Sequence, residues 1–422
     1  MYNRGMNTIC LVVDRLHAGY LGPYGNCWIS TPAFNRLAVD GFVFDQFLID
    51  SPELANFYRS CWQGRHALSP KYSADEPSLA AVVAQAGTHT VLLADEPEVI
   101  RHPLAAGFQE ILQIELPEAL EPAPCESGTR LAQCFVRLIA QTRSLREPFL
   151  LWCHLRGLGS AWDAPLEYRE RYVEPGDPQA QAFVEVPNRM LDPGFDPDYV
   201  LGISQAYAGQ VSLLDTCLAG WADLFGGDVA HTLFILVSAR GFPLGEHRRI
   251  GPCDHALYSE LVHVPLLLRF ADQRHAAGRS QALVEPADIW ATILDWHGLA
   301  PPAGPLRGKS LLGIVREEAS LVRDRLYVTG PRQRAIRTPA WYLRKCDAQA
   351  PAASDQAAAD DPCTVELFVK PDDRWEANEV SARAGEAAAL LRQVIRDYEQ
   401  AAQDAARREL MPLNEILISG LE

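Results

Sequence analysis

Four short apolar runs, residues 8–13, 88–94, 148–154 and 232–238, constrain this chain more than any other feature. Each is apolar almost throughout and too short for an ordinary globular helix. A strand buried on both faces reads this way, whereas a strand with one wet face alternates. Helical patterns lie between the runs. Ser78 is placed to cap a helix over 79–86 that stops at Gly87. Along 198–225, Ile203, Tyr207, Val211, Leu214, Leu218 and Trp221 recur at spacings of three and four, which makes one apolar helix face. Residues 42–49 read as a further strand. Strands alternating with helices predict an α/β fold with a mostly parallel central sheet flanked by helices.

The pattern changes after residue 325. Strand-like pieces at 325–328, 341–345 and 364–369 precede a terminal helix, 381–408. This predicts a domain over 1–325 and a smaller C-terminal α+β subdomain over 326–422. The Pro-, Gly- and acid-rich stretch 163–198 reads as a surface excursion, and the Ala/Asp-rich stretch 347–361 as a loop. A net charge of −16 excludes non-specific nucleic-acid binding, which needs a basic footprint. There is no apolar run of about 18 residues, so no membrane span is expected. The ten cysteines are scattered without a C-x-x-C pair, and no signal-like segment precedes residue 8. Free buried thiols and a cytoplasmic location follow as expectations.

Several segments, in order, resemble the sulfatase branch of the alkaline-phosphatase superfamily. Residues 9–16 are similar to its I-L-I-x-V-D-D-L, and 21–26 with 30–38 to L-G-C-Y-G-N…T-P-N-L-D-R-L-A. Residues 206–215 are similar to a helix ending in aspartate, here Asp215. Residues 232–241 with Gly245-Glu246-His247 resemble T-L-V-I-F-T-S-D-H-G…L-G-D-H. Further matches run through 264–270, 288–295 and 366–380. The resemblance implies an alkaline-phosphatase-like fold, and calcium would be the family metal.

The same resemblance shows what has changed. The segment from Ser51-Pro52 to Gly64-Arg65 fits the family's S-P-x-C-x-P-S-R-x-x-L-x-T-G-R without a gap. The cysteine that the family oxidises to formylglycine is Leu54 here, and Tyr58 replaces the sulfate-binding arginine. The metal-ligand positions fall on Asp14, Arg15, Ala239 and Arg240, of which only Asp14 keeps a carboxylate. The family histidine aligns with Gly159 and the leaving-group lysine with Asp254. Leucine cannot form a gem-diol or attack sulfur or phosphorus. One carboxylate beside two guanidinium groups cannot supply the several oxygens that calcium takes. No cofactor is therefore expected, and one or both arginines are expected to neutralise Asp14. Arg15, Arg240 and Arg59 are the candidate anion-binding residues for a small anionic ligand. The reading is a sulfatase-like protein without the family's catalysis. Its alternatives are an ester hydrolase using non-standard residues and a partner subunit of an active paralogue.

Overall fold

The computed structural model describes residues 5–70, 76–222, 231–301, 306–346, 365–403 and 410–420. The strands in chain order are β1 (Asn7–Val13), β2 (Phe42–Phe47), β3 (His89–Ala94), β4 (Glu110–Gln113), β5 (Phe149–Leu155), β6 (Arg189–Met190), β7 (Thr232–Val237), β8 (Arg249–Ile250), β9 (Leu266–Phe270) and β10 (Gly278–Val284). Eight of them form one sheet in the order β10-β2-β9-β7-β1-β5-β3-β4. Strands β7, β1, β5, β3 and β4 run parallel, while β9 runs antiparallel to both β7 and β2. The four apolar runs are thus adjacent strands, β7-β1-β5-β3. Every residue of β1, β5 and β7 is buried, which is why those strands do not alternate. Two antiparallel residue pairs join β6 to β8.

The chain divides into two compact units that are discontinuous in sequence. The first is Met1–Asp45, Ala80–Cys253 and Val264–Arg279; the second is Gln46–Leu79, Asp254–His263 and Ser280–Glu422. The boundary expected at 325/326 therefore lies inside the second unit. Residues 46–79 and 280–325 belong with the C-terminal part, where the helices Leu54–Gln63 and Pro286–Trp296 touch.

In the first unit, the helix Pro197–Ala222 buries the expected stripe: Ile203, Tyr207, Val211, Leu214, Leu218 and Trp221 are each 2% exposed or less. Asp215, on the same helix, accepts the Ala33 and Phe34 backbone N–H groups at 3.1 and 3.0 Å. These are orphan donors of the first turn of the helix Pro32–Val39, so this aspartate acts as a structural cap across the core.

In the second unit, β11 (Leu326–Thr329), β12 (Gln333–Arg337), β13 (Trp341–Cys346) and β14 (Glu366–Val369) form an antiparallel meander. The helix Gly385–Gln403 covers it through Leu391, Ile395 and Tyr398. The loop expected over 347–361 lies outside the described residues. Cys346 is disulfide-bonded, and Cys27 and Cys125 are exposed. The expectation of uniformly free, buried thiols is corrected accordingly.

Candidate functional site

The first unit holds Asp14, Arg15, Gly159, Ala239 and Arg240; the second holds Leu54, Tyr58, Arg59 and Asp254. Asp14 follows the last residue of β1 directly, at the carboxyl edge of the sheet where open α/β folds place their sites. Its backbone N–H reaches the Leu155 carbonyl at 2.9 Å and its carbonyl accepts from Leu158 N at 3.1 Å. Gly157 makes this approach possible: its φ is +52°, and a Cβ there would stand 2.8 Å from the Asp14 carbonyl oxygen.

Arg240 closes on the Asp14 carboxylate in a fork, Nε to Oδ1 at 3.2 Å and Nη2 to Oδ2 at 2.5 Å. Such bidentate geometry is the strongest that an arginine and a carboxylate make. Asp14 is 4% exposed. Burial alone would push its carboxyl up; the charges of Arg240 and then Arg15 overcome that and hold it at about 2, against an ordinary 3.8. His154, buried at the end of β5, is driven the other way: burial lowers it to about 4 although Asp14 opposes this, so it is neutral at physiological pH. With Asp14, Arg15 and Arg240 ionised, the cluster carries one net positive charge.

Arg15 occupies the left-handed region, with φ of 62°, a costly conformation for a non-glycine residue. Its N–H donates to Asp14 Oδ1 at 3.0 Å, and its carbonyl accepts from the Tyr207 hydroxyl at 2.7 Å. Ser238 ties the two arginine loops together. Its hydroxyl accepts from Leu16 N at 3.1 Å and donates to the Arg240 carbonyl at 2.7 Å. Ala239 is fully buried and offers no side-chain donor atom.

Gly159 bears directly on Arg15. A Cβ at position 159 would lie 2.9 Å from Arg15 Cγ. Any larger residue there must move the stem of Arg15. The glycine at 159 and the arginine at 15 are therefore one steric arrangement.

In the second unit, Leu54 is the first residue of the helix Leu54–Gln63 and is 2% exposed. Tyr58 is fully buried, with its ring centroid 4.3 Å from that of Trp62. Arg59 is 4% exposed and donates to the backbone carbonyls of Ser69 at 3.0 Å, His66 at 3.2 Å and Ala67. Its donors serve the 66–69 turn instead of facing a ligand. Ser60 Oγ donates to Asp50 Oδ2 at 2.5 Å. Asp254 is half-buried in a turn before the helix Ser259–Val262.

Sequence reasoning passed over a second group of charged residues in the first unit: Asp95, Arg130, Arg156 and Arg169. Asp95 follows β3 as Asp14 follows β1, and it accepts from Arg156 N at 2.7 Å. Burial raises it to about 6. Its position at a central strand's carboxyl end was the available signal; its partners come only from the fold.

The chain matches the Sulfatase family over residues 6–299. It belongs to the sulfatase family. Among curated relatives, it is 32% identical over 115 residues to the multifunctional alkaline phosphatase superfamily protein PehA of Trinickia caryophylli, a match covering 26% of this chain and 22% of that one. It is 30% identical over 99 residues to an N-acetylglucosamine-6-O-sulfatase of Bacteroides thetaiotaomicron, covering 23% of this chain and 17% of the relative. These matches span about a fifth of the relatives' lengths. Among solved structures, a protein in complex with its substrate D-glucosamine-2-N,6-O-disulfate superposes with a TM-score of 0.71 at 16% identity, covering 96% of this chain and 99% of that one. The phosphonate monoester hydrolase of Agrobacterium radiobacter gives 0.70 at 17% identity, with 94% and 96% covered. At such identities the likeness is one of fold.

Proposed function

We propose that this sulfatase-family chain does not carry out the family's ester hydrolysis and serves as a binding protein on that fold. The observation that carries the reading is the fork of Arg240 on both oxygens of Asp14. Calcium, the metal expected by resemblance, takes about 6–8 oxygen ligands. At this site Asp14 is engaged by a guanidinium, Ala239 has nothing to offer, and the side chain of Arg15 is a guanidinium, with donors and no acceptor. The residues do not fit a divalent ion; the internal cation takes its electrostatic place. Leu54 at the nucleophile position supports the same reading, since an aliphatic side chain cannot attack an ester.

The described residues include no helix long and apolar enough to cross a membrane.

Turnover tests the proposal. Purified protein should release no 4-nitrophenol from 4-nitrophenyl sulfate or phosphate above background, with or without added calcium or manganese. Turnover that disappears in Asp14→Ala would overturn it.

A further inference from the structure

The three arginines singled out from the sequence face inward, but another pair does not. A cleft of about 710 Å³ opens in the first unit beside Gly159, lined by Arg130, Arg156, Ser160, Phe183 and Val184 among others. We propose that this cleft is the ligand site of the protein, and that it takes an oxyanion (phosphate, phosphonate, sulfate or carboxylate) carried on an apolar body. The inference goes beyond the reading above and stands whether or not the chain hydrolyses esters.

The positive side of the cleft is fixed in place. Arg130 donates from Nε to Ser160 Oγ at 3.0 Å and from Nη1 to the carbonyls of Leu116, at 3.3 Å, and Pro117. These partners are neutral, and among the described residues no carboxylate pairs with its guanidinium. Its guanidinium is thus fixed in place by neutral partners, with the carboxylates of Asp95 and Asp163 near enough to feel its charge. Arg156 is more open, with its side chain 43% exposed, and its Nε lies 3.3 Å from Glu96 Oε2. Behind the floor, where Gly159 has no side chain, runs the stem of Arg15. Glu118 and Glu185 also line the cleft, but both are exposed and solvent screens them strongly.

The apolar side is built with equal rigidity. Arg169 is 1% exposed and donates to the carbonyls of Trp162 at 2.6 Å, Phe183 at 2.5 Å and Gln181. Its Cζ lies 4.8 Å from the centroid of the Phe183 ring. Trp162 N donates to the Val184 carbonyl at 2.8 Å. Burial lowers Arg169 to about 10, so the fold bears the cost of a buried guanidinium to hold one stretch of the 163–198 excursion in shape. That stretch is the wall presenting Phe183 and Val184. Fixed charge on one side and a fixed apolar wall on the other are the usual components of a small-molecule site.

Titration calorimetry with phenylphosphonate, whose C–P bond resists hydrolysis, tests the proposal apart from any catalysis. Phenylphosphonate should bind one per chain and at least about fivefold tighter than inorganic phosphate, because the ring adds apolar burial. Arg156→Gln, in a protein that unfolds like the parent, should weaken binding about tenfold or more. Glu96→Gln should tighten binding by releasing Arg156 from its competitor, an effect that a purely structural role would not give. The proposal is overturned if phenylphosphonate shows no saturable binding up to about 10 mM, a ceiling far weaker than ordinary ligand sites, or if Arg156→Gln binds it like the parent.

Discussion

Replacing Arg240 with leucine would take away the guanidinium that grips both Asp14 oxygens and leave a carboxylate 4% exposed with only Arg15 to oppose its desolvation. The size of the effect follows from the titration. Holding Asp14 at about 2 instead of 3.8 corresponds, at about 1.4 kcal/mol per pH unit, to about 2.5 kcal/mol of folding stability. Removing one partner of a buried pair also strands the other, and such changes typically cost about 3–5 kcal/mol. Arg240→Leu should therefore lose about 3–5 kcal/mol in urea unfolding at pH 7. The sign with pH is fixed by the depressed pKa. The contribution is complete above pH 3.8 and disappears as pH falls through about 2, so at pH 3 about half of the linkage part should be gone. The double change Asp14→Leu with Arg240→Leu should lie closer to the parent than Arg240→Leu alone, because it strands no charge. A loss below about 1 kcal/mol for Arg240→Leu at pH 7, the range of exposed surface pairs, would refute the claim that this fork neutralises the site.

Three other expectations are independent of that one. Gly159→Ala should destabilise by about 1–2 kcal/mol through Arg15 Cγ, and Arg15→Ala should relieve most of the loss; additive effects in the four-way comparison would show that the two positions are uncoupled. Asp95→Asn should raise stability at pH 7.5 and flatten the profile between pH 4 and 6. The raised carboxyl of Asp95, at about 6, contributes stability below its unfolded pKa that is lost as pH rises through 6, and an unchanged profile would show that it does not titrate there. Leu54→Cys should not restore hydrolysis of 4-nitrophenyl sulfate, since one side chain does not rebuild the cation site; turnover in that variant would contradict the reading of Arg15 and Arg240.

The central strands were legible because burial on both faces leaves an unbroken apolar run, as in β1, β5 and β7. Strand β4, Glu-Ile-Leu-Gln with three of its four residues exposed, carries no such signal. The helix Arg130–Ser144 went unread although Leu131, Cys134, Phe135 and Leu138 have helical spacing and are buried; four apolar positions among basic and polar residues gave a thin stripe. Changed chemistry at 15, 54, 159, 239 and 240, around a retained Asp14, could be seen by aligning motifs. An arginine neutralising Asp14 was also expected; which arginine takes that place, and what the others do, was not legible. Arg59 turns to backbone carbonyls, Arg240 turns to a carboxylate, and Arg169, unremarked in the sequence, holds a cleft wall. A guanidinium's partner is set by tertiary geometry, and spacing along the chain does not encode it.

Calcium binding tests the central claim most directly. A site of the family kind, at calcium about 100-fold above its dissociation constant, would stabilise the fold by about 2.7 kcal/mol. Thermal unfolding of the metal-stripped protein with and without millimolar calcium should give the same midpoint, because Arg240 already occupies Asp14. A calcium-dependent rise in midpoint that disappears in Asp14→Asn would contradict the account.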